Sequence, residues 1–279
     1  MNFTSICLFV SVIIWFVNYC SRFSQKKSVC SLVLVMKNKL FPFFALLVFT
    51  ILHIPVSFAN SYNVNFNSFC NVVASPKEIT ISGNTMLYNK MNLANYGLDQ
   101  KAFDYAMNGY NYLKSKKMLF NKAIISIVDF TKPSTQKRLF VLDLKNNKVL
   151  YNTHVAHGQA SGQDFATQFS NTPESLQSSL GFYRTANTYD GKNGFSLVLK
   201  GLESGVNDRA EERSIVMHGA PYVSQEHINE TGSIGRSWGC PAVSEKLAKP
   251  IIEKIKGGSC LFVYSNNNSY LKKSKIINA

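Results

Sequence analysis

One cysteine and one histidine have neighbours that suit covalent catalysis. His218 ends an apolar run and is followed by Gly219, where the chain can turn a side chain into a cleft. Cys240 directly follows Gly239, and a glycine at this position lets consecutive N–H groups turn toward one point, as an oxyanion hole requires. Because the thiolate is the reactive form of cysteine, a nearby base or positive dipole is needed to generate it. The pair therefore predicts a cysteine nucleophile with a histidine base.

A helix predicted to begin at Ser244 would place its positive N-terminal end near the thiol and favour the thiolate. The residue types alone leave a second interpretation open, in which Cys240 and His218 are core residues that are neighbours only in sequence. The order also differs from that of papain-like proteases, because here the histidine precedes the cysteine.

Residues around the pair are further candidates for the site. Arg236, Ser237 and Tyr222 flank it in sequence and could contact a substrate. His157 could line the same cleft, and the alternative is a structural histidine held by hydrogen bonds. The segment 222–234 fits either a lid over the site or a passive surface loop.

These residues would be positioned by a mostly-β scaffold. Turns rich in Gly, Ser, Asn and Asp separate β-rich runs, and Asn146-Asn147 suits a tight hairpin. Apolar residues over 98–113 recur at helical spacing, and a second helix is predicted over 244–255, with Pro250 as a potential break. Many short strands with few helices predict a β-sandwich or barrel-like core with a few peripheral helices. The predicted strands are 123–130, 138–144, 149–156, 181–184, 195–199, 214–217 and 260–264.

The composition is that of a globular chain. Its 279 residues are 46% hydrophobic and 16% charged, which excludes disordered and collagen-like proteins. Six cysteines are too few for a small disulfide-stapled protein, and the length suits one large domain or two small ones. The net charge of +14 suits an anionic partner such as a cell-wall polymer, although general solubility explains it equally well. No Lys/Arg block is interleaved with aromatic residues, so a nucleic-acid partner is not predicted.

The segment 1–59 contains no Asp or Glu and has the pattern of a leader. A short basic segment, an apolar run and small residues at positions 57 and 59 predict a signal peptide over 36–59, cleaved near Ala59. Residues 1–35 would then be a spurious extension, with Met36 as the true start. The alternative is a two-pass or N-anchored membrane protein that uses the apolar run 6–19, although this run is shorter than the roughly 18 to 20 residues of a typical span.

Cleavage of the leader would remove five of the 30 basic residues and leave a net charge of +9. Three cysteines would remain, namely Cys70, Cys240 and Cys260, and an odd number leaves at least one thiol unpaired or intermolecular. Cys260 lies in an apolar run that predicts a buried strand. A disulfide between Cys70 and Cys260 stays open as an alternative.

The spacing of the motif resembles that of a known family. His218-Gly219, followed after a short intervening segment by Ser237-x-Gly239-Cys240, is similar to the catalytic signature of murein L,D-transpeptidases of the YkuD type. The similarity extends over roughly residues 120–265. The matching flanks are 138–143, 169–173, 178–183, 217–222 and 235–242.

The resemblance implies a domain organisation and a role for each site residue. The L,D-transpeptidase-like domain would occupy 119–266, after a lead-in segment with one helix at 60–118 and before a C-terminal tail at 267–279. By position, Cys240 is the nucleophile, His218 is the general base, and the carbonyl of Gly219 holds the imidazole tautomer. The N–H groups of Trp238, Gly239 and Cys240 would form the oxyanion hole. Neither a metal nor an organic cofactor is implied.

The resemblance also implies a substrate and a location. Such enzymes attack the carbonyl of the third residue of a peptidoglycan stem peptide and expel the terminal D-alanine. An amine of a neighbouring stem then takes the acyl group, which gives a 3→3 cross-link. The protein would be periplasmic or associated with the cell wall, without stable membrane insertion after signal cleavage.

Departures from the family pattern keep alternatives open. Most members carry His or a small polar residue in place of Trp238, and Arg or Asn in place of Pro241 or Ala242. Arg236 could replace the missing basic residue from the other side of the motif. The departures leave two alternatives, an L,D-carboxypeptidase or amidase that uses water as the acceptor, and a non-catalytic module that binds the cell wall.

Overall fold

The structure, a computed structural model, describes residues 83–279. The predicted signal peptide, the extension before it and Cys70 lie outside the described residues. The helices of the described part are α1 (Gly83–Lys90), α2 (Gln100–Ser115), α3 (Gln225–Thr231), α4 (Glu245–Ile255) and α5 (Asn268–Lys273). The strands are β1 (Ile124–Asp129), β2 (Leu139–Asp143), β3 (Lys148–Thr153), β4 (Gly181–Gly191), β5 (Gly194–Gly201), β6 (Val216–Ala220), β7 (Ala242–Ser244) and β8 (Cys260–Tyr264).

The eight strands form one sheet in the order β3-β2-β1-β8-β4-β5-β6-β7. The β1–β8 and β6–β7 pairs are parallel, and the other pairs are antiparallel. The two edges approach each other where the N–H of Ala156, just after β3, donates to the carbonyl of Ala242 on β7 at 2.8 Å. A bridge between Gly158 and Ser237 continues this contact. The sheet is therefore nearly closed, and the prediction of a mostly-β, barrel-like core is confirmed.

Helix α2 packs on the sheet through the apolar face that its sequence predicts. Asp99 caps it by accepting the N–H of Ala102 at 3.1 Å. Gly109 lets the helix approach closely, because a Cβ there would lie 2.0 Å from the ring of Phe182 on β4. The part of the predicted lead-in segment that the structure describes is thus packed on the core, and it contains a second helix, α1, that the sequence analysis missed.

Helix α4 continues through Pro250 instead of breaking there. A proline inside a helix removes one backbone hydrogen bond. Burial of Ala248 before it and of Ile251, Ile252 and Ile255 after it on one face outweighs that loss, because all four pack in the main core. The predicted helix over 244–255 is confirmed as a single element.

The predicted C-terminal tail is part of the core. Tyr270 of α5 donates its hydroxyl to the buried carboxylate of Glu203 at 2.8 Å, and Ser274 donates to the other oxygen of the same group. The N–H of Phe182 also donates to Glu203, at 2.9 Å, which ties the tail to β4. Ile276 lies buried beyond α5. Residues 267–279 therefore belong to the folded unit and do not form a loose extension of it.

No helix in residues 83–279 is both long enough and apolar enough to cross a bilayer.

Candidate active site

The parallel pairing of β6 with β7 brings the predicted base and nucleophile together. His218 on β6 is in register with Ala242 on β7, just after Cys240. The Sγ of Cys240 lies 3.5 Å from the backbone nitrogen of Val216 and 3.6 Å from the carbonyl oxygen of Ser214, on the segment that leads into His218. Both side chains line one cleft of about 450 Å³.

The imidazole of His218 is held in one tautomer. Its Nδ1 lies 2.9 Å from the carbonyl oxygen of Gly219, and because a carbonyl only accepts, Nδ1 carries the hydrogen. Nε2 is then the acceptor. Helix α4 packs behind this point, where a Cβ on Gly219 would lie 3.1 Å from the Cα of Glu245. Nδ1 of His218 is therefore fixed as a hydrogen-bond donor, and Nε2 is left as the nitrogen that can accept a proton.

The turn before the nucleophile is fixed by one hydroxyl. Ser237 Oγ donates to the carbonyl of Cys240 at 2.6 Å and accepts the N–H of Gly239 at 3.0 Å. Ser237 is 4% exposed and lines the cleft, so it braces the turn and stays a candidate substrate contact. The N–H of Gly239 therefore already donates to Ser237 Oγ, which corrects the prediction that three N–H groups form the oxyanion hole. Among the described residues, the N–H groups of Trp238 and Cys240 have no hydrogen-bond partner.

Burial raises the pKa of the Cys240 thiol. The N–H of Val216 and the guanidinium of Arg213 act in the opposite direction, but they do not outweigh burial. The predicted contribution of the α4 N-terminus would act in the same direction as these two groups, against the effect of burial. At neutral pH the thiol is protonated, and a reaction at sulfur requires a base to remove that proton.

Arg213 is the residue of this site that the sequence analysis did not select. Its Nη1 donates to the carbonyl of Ser170 at 2.6 Å and to Ser179 Oγ at 2.5 Å, and its Nη2 donates to the carbonyl of Gln177 at 2.6 Å. A Cβ on Gly239 would lie 3.3 Å from Nη2, so the cation sits directly behind the turn that carries the thiol. Arg213 ends a mixed charge run over 208–213 that is typical of a solvated face or of ion pairs, and nothing local distinguishes this arginine from its neighbours.

Replacing Arg213 with methionine should raise the pKa of the Cys240 thiol further, because the cation that favours the thiolate is lost. The rate of Cys240 alkylation by iodoacetamide, followed by peptide mapping against pH, should shift to higher pH. Arg213→Lys keeps the charge but loses most of the hydrogen bonds, so it should lower the melting temperature and shift the pH curve less. Superimposable curves for the wild-type protein and Arg213→Met would contradict this role.

His157 does not line the cleft, which corrects the predicted substrate contact. Its side chain is 0% exposed, and its neighbours Ala156 and Gly158 pair with Ala242 and Ser237. Nδ1 accepts from Nη2 of the buried Arg138 at 2.7 Å, and Nε2 donates to the carbonyl of Gly162 at 3.2 Å. The carbonyl of His157 accepts the N–H of Ser237 at 2.9 Å. The residue therefore supports the nucleophile turn from behind.

This burial should make stability depend on pH. Burial and the neighbouring cation of Arg138 lower the pKa of His157 to about 4, from an ordinary value of 6.5. Between these values the unfolded chain binds a proton that the folded chain excludes, so stability falls as the pH drops from 6.5 to 4. The expected loss is about 3 kcal/mol.

Urea unfolding of the wild-type protein and of His157→Gln at pH 7 and pH 4 measures this contribution. The free energy of unfolding should fall from pH 7 to pH 4 by about 3 kcal/mol less in His157→Gln than in the wild-type protein. His227→Gln on the solvent-facing helix α3 is the matched control and should leave the difference unchanged. Equal pH dependence in the wild-type protein and His157→Gln would show that His157 does not titrate in this way.

Tyr222 and Arg236, two of the predicted substrate contacts, both line the cleft. Burial raises the pKa of Tyr222 to about 12, so its hydroxyl stays protonated and able to donate. Arg236 lies at the mouth, where Nη1 donates to Gln163 Oε1 at 2.7 Å and to the carbonyl of Gly162 at 3.3 Å. The candidate lid at 222–234 contains α3, which Ser224 caps.

Two further features concern cysteines and metals. Cys260 has a free thiol and is fully buried on β8, and Cys70, the alternative disulfide partner, lies outside the described residues. Within residues 83–279, no group of three His, Cys, Asp or Glu side chains is arranged to hold a metal ion.

Comparison with known proteins gives one family and a set of solved structures. The L,D-transpeptidase from Mycobacterium smegmatis is 14% identical, with 51% of this chain and 59% of that chain covered and a TM-score of 0.32. The helical cell shape determining protein Pgp2 from Campylobacter jejuni is 12% identical, with 52% of this chain and 49% of that chain covered and a TM-score of 0.34. The L,D-transpeptidase from Stackebrandtia nassauensis is 17% identical, with 60% and 67% covered and a TM-score of 0.31.

This chain spans 59% of the length of the mycobacterial structures that head this set. No curated protein sequence gives a significant match. The family described as "L,D-transpeptidase catalytic domain" matches residues 94–264, more than half of the chain. The resemblance drawn from the His-Gly and Ser-x-Gly-Cys motif is thereby confirmed, and the chain belongs to the L,D-transpeptidase catalytic domain family.

Proposed function

We propose that this chain is an exported cysteine L,D-transpeptidase that forms 3→3 cross-links between peptidoglycan stem peptides. One observation carries the proposal beyond family membership. His218 presents a basic Nε2, fixed by its 2.9 Å hydrogen bond to Gly219, in the same cleft as the half-buried Cys240 thiol. A thiol and an imidazole that line one cleft, with Nδ1 of the imidazole fixed as a donor, are the groups needed for base-assisted attack.

In the first half-reaction, Sγ of Cys240 attacks the carbonyl carbon of the third stem residue while Nε2 of His218 takes the thiol proton. The carbonyl oxygen becomes an oxyanion, and the free N–H groups of Trp238 and Cys240 are the donors placed to bind it. The bond to D-alanine then breaks, and His218 returns the proton to the departing amine. A thioester on Cys240 remains.

In the second half-reaction, a neutral amine of a neighbouring stem attacks the thioester carbonyl. His218 accepts a proton from this amine and passes it to the sulfur of Cys240 as the thioester bond breaks. One peptide bond is exchanged for another, so the reaction balances without an external energy source. Water in place of the amine would give the carboxypeptidase reaction.

The charge of the cleft supports an anionic donor. Lys192, Arg213 and Arg236 line it, and its lining includes no Asp or Glu. A stem peptide that ends in a free carboxylate suits such a site, because cations on a low-dielectric wall attract a carboxylate more strongly than cations in open water do. The acceptor amine must enter as the neutral form, since these cations repel an ammonium group.

The location is proposed from the leader. An acid-free segment with the signal pattern at 36–59 would direct the chain out of the cytoplasm, and cleavage near Ala59 would release it into the periplasm or cell wall. Peptidoglycan is found there, and the net charge of +9 left after cleavage suits an anionic wall.

Incubation of the full-length protein with disaccharide-tetrapeptide, followed by mass spectrometry, tests the proposal. A cross-linked dimer that has lost one D-alanine is the expected product. Monomer that has only lost D-alanine would identify the protein as a carboxypeptidase instead. Unchanged substrate, with no thioester on Cys240, would reject both enzymatic functions and favour a wall-binding module.

A further inference from the structure

The most exposed large aromatic side chain in residues 83–279 lies beside the nucleophile. Trp238 has 74% of its surface exposed and lines the same cleft as Cys240. Tyr189, which is 45% exposed, lines this cleft from the β4–β5 hairpin. An exposed indole beside a reactive group indicates a binding surface for a ligand that has an apolar face of its own.

The exposure of Trp238 is imposed by a fixed backbone. The N–H of Ser237 donates to His157 at 2.9 Å, and the carbonyl of Ser237 accepts the N–H of Gln159 at 2.8 Å. On the other side, the N–H of Gly239 is bonded to Ser237 Oγ. The turn that presents the thiol therefore also presents the indole, and a small residue would serve this turn without leaving apolar surface in water.

Polar side chains line the cleft together with the two rings. Lys192 and Asn193, at the tip of the β4–β5 hairpin, and Arg236 at the mouth line the same cleft. A flat apolar surface bordered by hydrogen-bond donors suits a pyranose ring, because its C–H face packs on the aromatic ring and its hydroxyl and amide substituents accept hydrogen bonds at the edge. The peptide end of the substrate is an alanine, whose single methyl group cannot cover an indole.

We propose that Trp238 and Tyr189 bind sugar rings of the glycan strand to which the donor stem peptide is attached. The inference rests on the proposed function, because it adds a glycan subsite to the same peptidoglycan substrate. Contacts to the sugars lie away from the reacting carbonyl, and they hold the stem so that this carbonyl meets Cys240.

The first experiment measures acyl-enzyme formation with the full-length protein at low substrate concentration. Disaccharide-tetrapeptide is compared with the same tetrapeptide without sugars, and the ratio of the two rates is the readout. We expect the wild-type protein to prefer the sugar-bearing donor by about tenfold, which corresponds to about 1.4 kcal/mol of transition-state binding. Trp238→Ala should lower the ratio to near one, and Trp238→Tyr should give a ratio between one and the wild-type value.

The ratio separates sugar binding from any damage to the turn, because a disturbed thiol slows both substrates alike. Phe120→Ala is the matched control, since Phe120 is 71% exposed but does not line the cleft. It should keep the wild-type ratio. A wild-type ratio of one, or a ratio that Trp238→Ala leaves unchanged, would overturn the glycan subsite while leaving the proposed function intact.

A second experiment does not depend on catalysis. Glycan strands stripped of stem peptides are titrated into the full-length Cys240→Ala variant while tryptophan fluorescence is recorded, and the same is done with Trp238→Phe added. Saturable quenching that disappears with Trp238→Phe supports the subsite even if no acyl-enzyme forms in the first experiment. The absence of such quenching counts against it. Trp238-dependent binding to phosphatidylglycerol vesicles, without binding to glycan, would assign the ring to a membrane surface and overturn the inference.

Discussion

Replacing Cys240 with alanine should lower the formation of cross-linked product by at least about a thousandfold, because no other group can form the thioester. The side chain is half-buried at the floor of the cleft, and its removal leaves the turn intact, since Ser237 holds that turn through the backbone of residues 239 and 240. Mass spectrometry of the intact protein with substrate should show the acyl adduct on the wild-type chain and none on Cys240→Ala.

Cys260→Ala is the matched control for this result. Cys260 is also a free cysteine, but it is fully buried on β8, and burial raises the pKa of its thiol far above the ordinary range. The variant should keep the wild-type level of acyl-enzyme, with a modest loss of stability from the small cavity. An adduct that persists in Cys240→Ala and disappears in Cys260→Ala would contradict the assignment of the nucleophile.

Replacing His218 with asparagine should lower the rate of acylation by about 10²- to 10⁴-fold, which is the usual contribution of a general base. The protonated thiol then depends on solvent to remove its proton. Because burial raises the pKa of Cys240, the residual rate should keep rising with pH through the alkaline range. The rate of acylation measured from pH 6 to pH 10 by quenched-flow mass spectrometry tests both expectations.

His227→Asn provides the comparison for this variant. His227 lies on α3, in the segment next to the cleft, and it does not line the cleft itself. Its replacement should leave the rate and the pH profile unchanged. If His218→Asn keeps the wild-type rate at neutral pH, the thiol must lose its proton by another route, and the proposed role of the imidazole fails.

Much of the scaffold could be predicted from local patterns. Helix α2 has a helical apolar periodicity, and the strands from β1 to β6 contain β-rich runs that a short window shows. The missed elements lack such a signal. β7 has only three residues and is a strand only because it pairs with β6, and α5 is a polar segment that is held by the distant Glu203.

The candidate site likewise contains residues that a local motif predicts and residues that only long-range contacts bring there. The roles proposed for Cys240 and His218 follow from one short motif that contains both residues, and the structure places their side chains in one cleft. The position of Arg213 could not be predicted, because its partners Ser170 and Ser179 lie 43 and 34 residues away in sequence. The burial of His157 is likewise a product of long-range contacts.

The place of β8 in the sheet has a consequence for synthesis. β8 lies between β1 and β4, so the two halves of the sheet are joined by the strand that is made last. Cys260 pairs with Ile125, which leaves the ribosome long before it. At about 5 to 20 residues per second, β1 waits on the order of ten seconds for its partner. The sheet is therefore incomplete until β8 has been made, and a partner so distant in sequence also makes folding slow. For the exported chain proposed above, such a delay would favour a translocase that accepts only unfolded polypeptides.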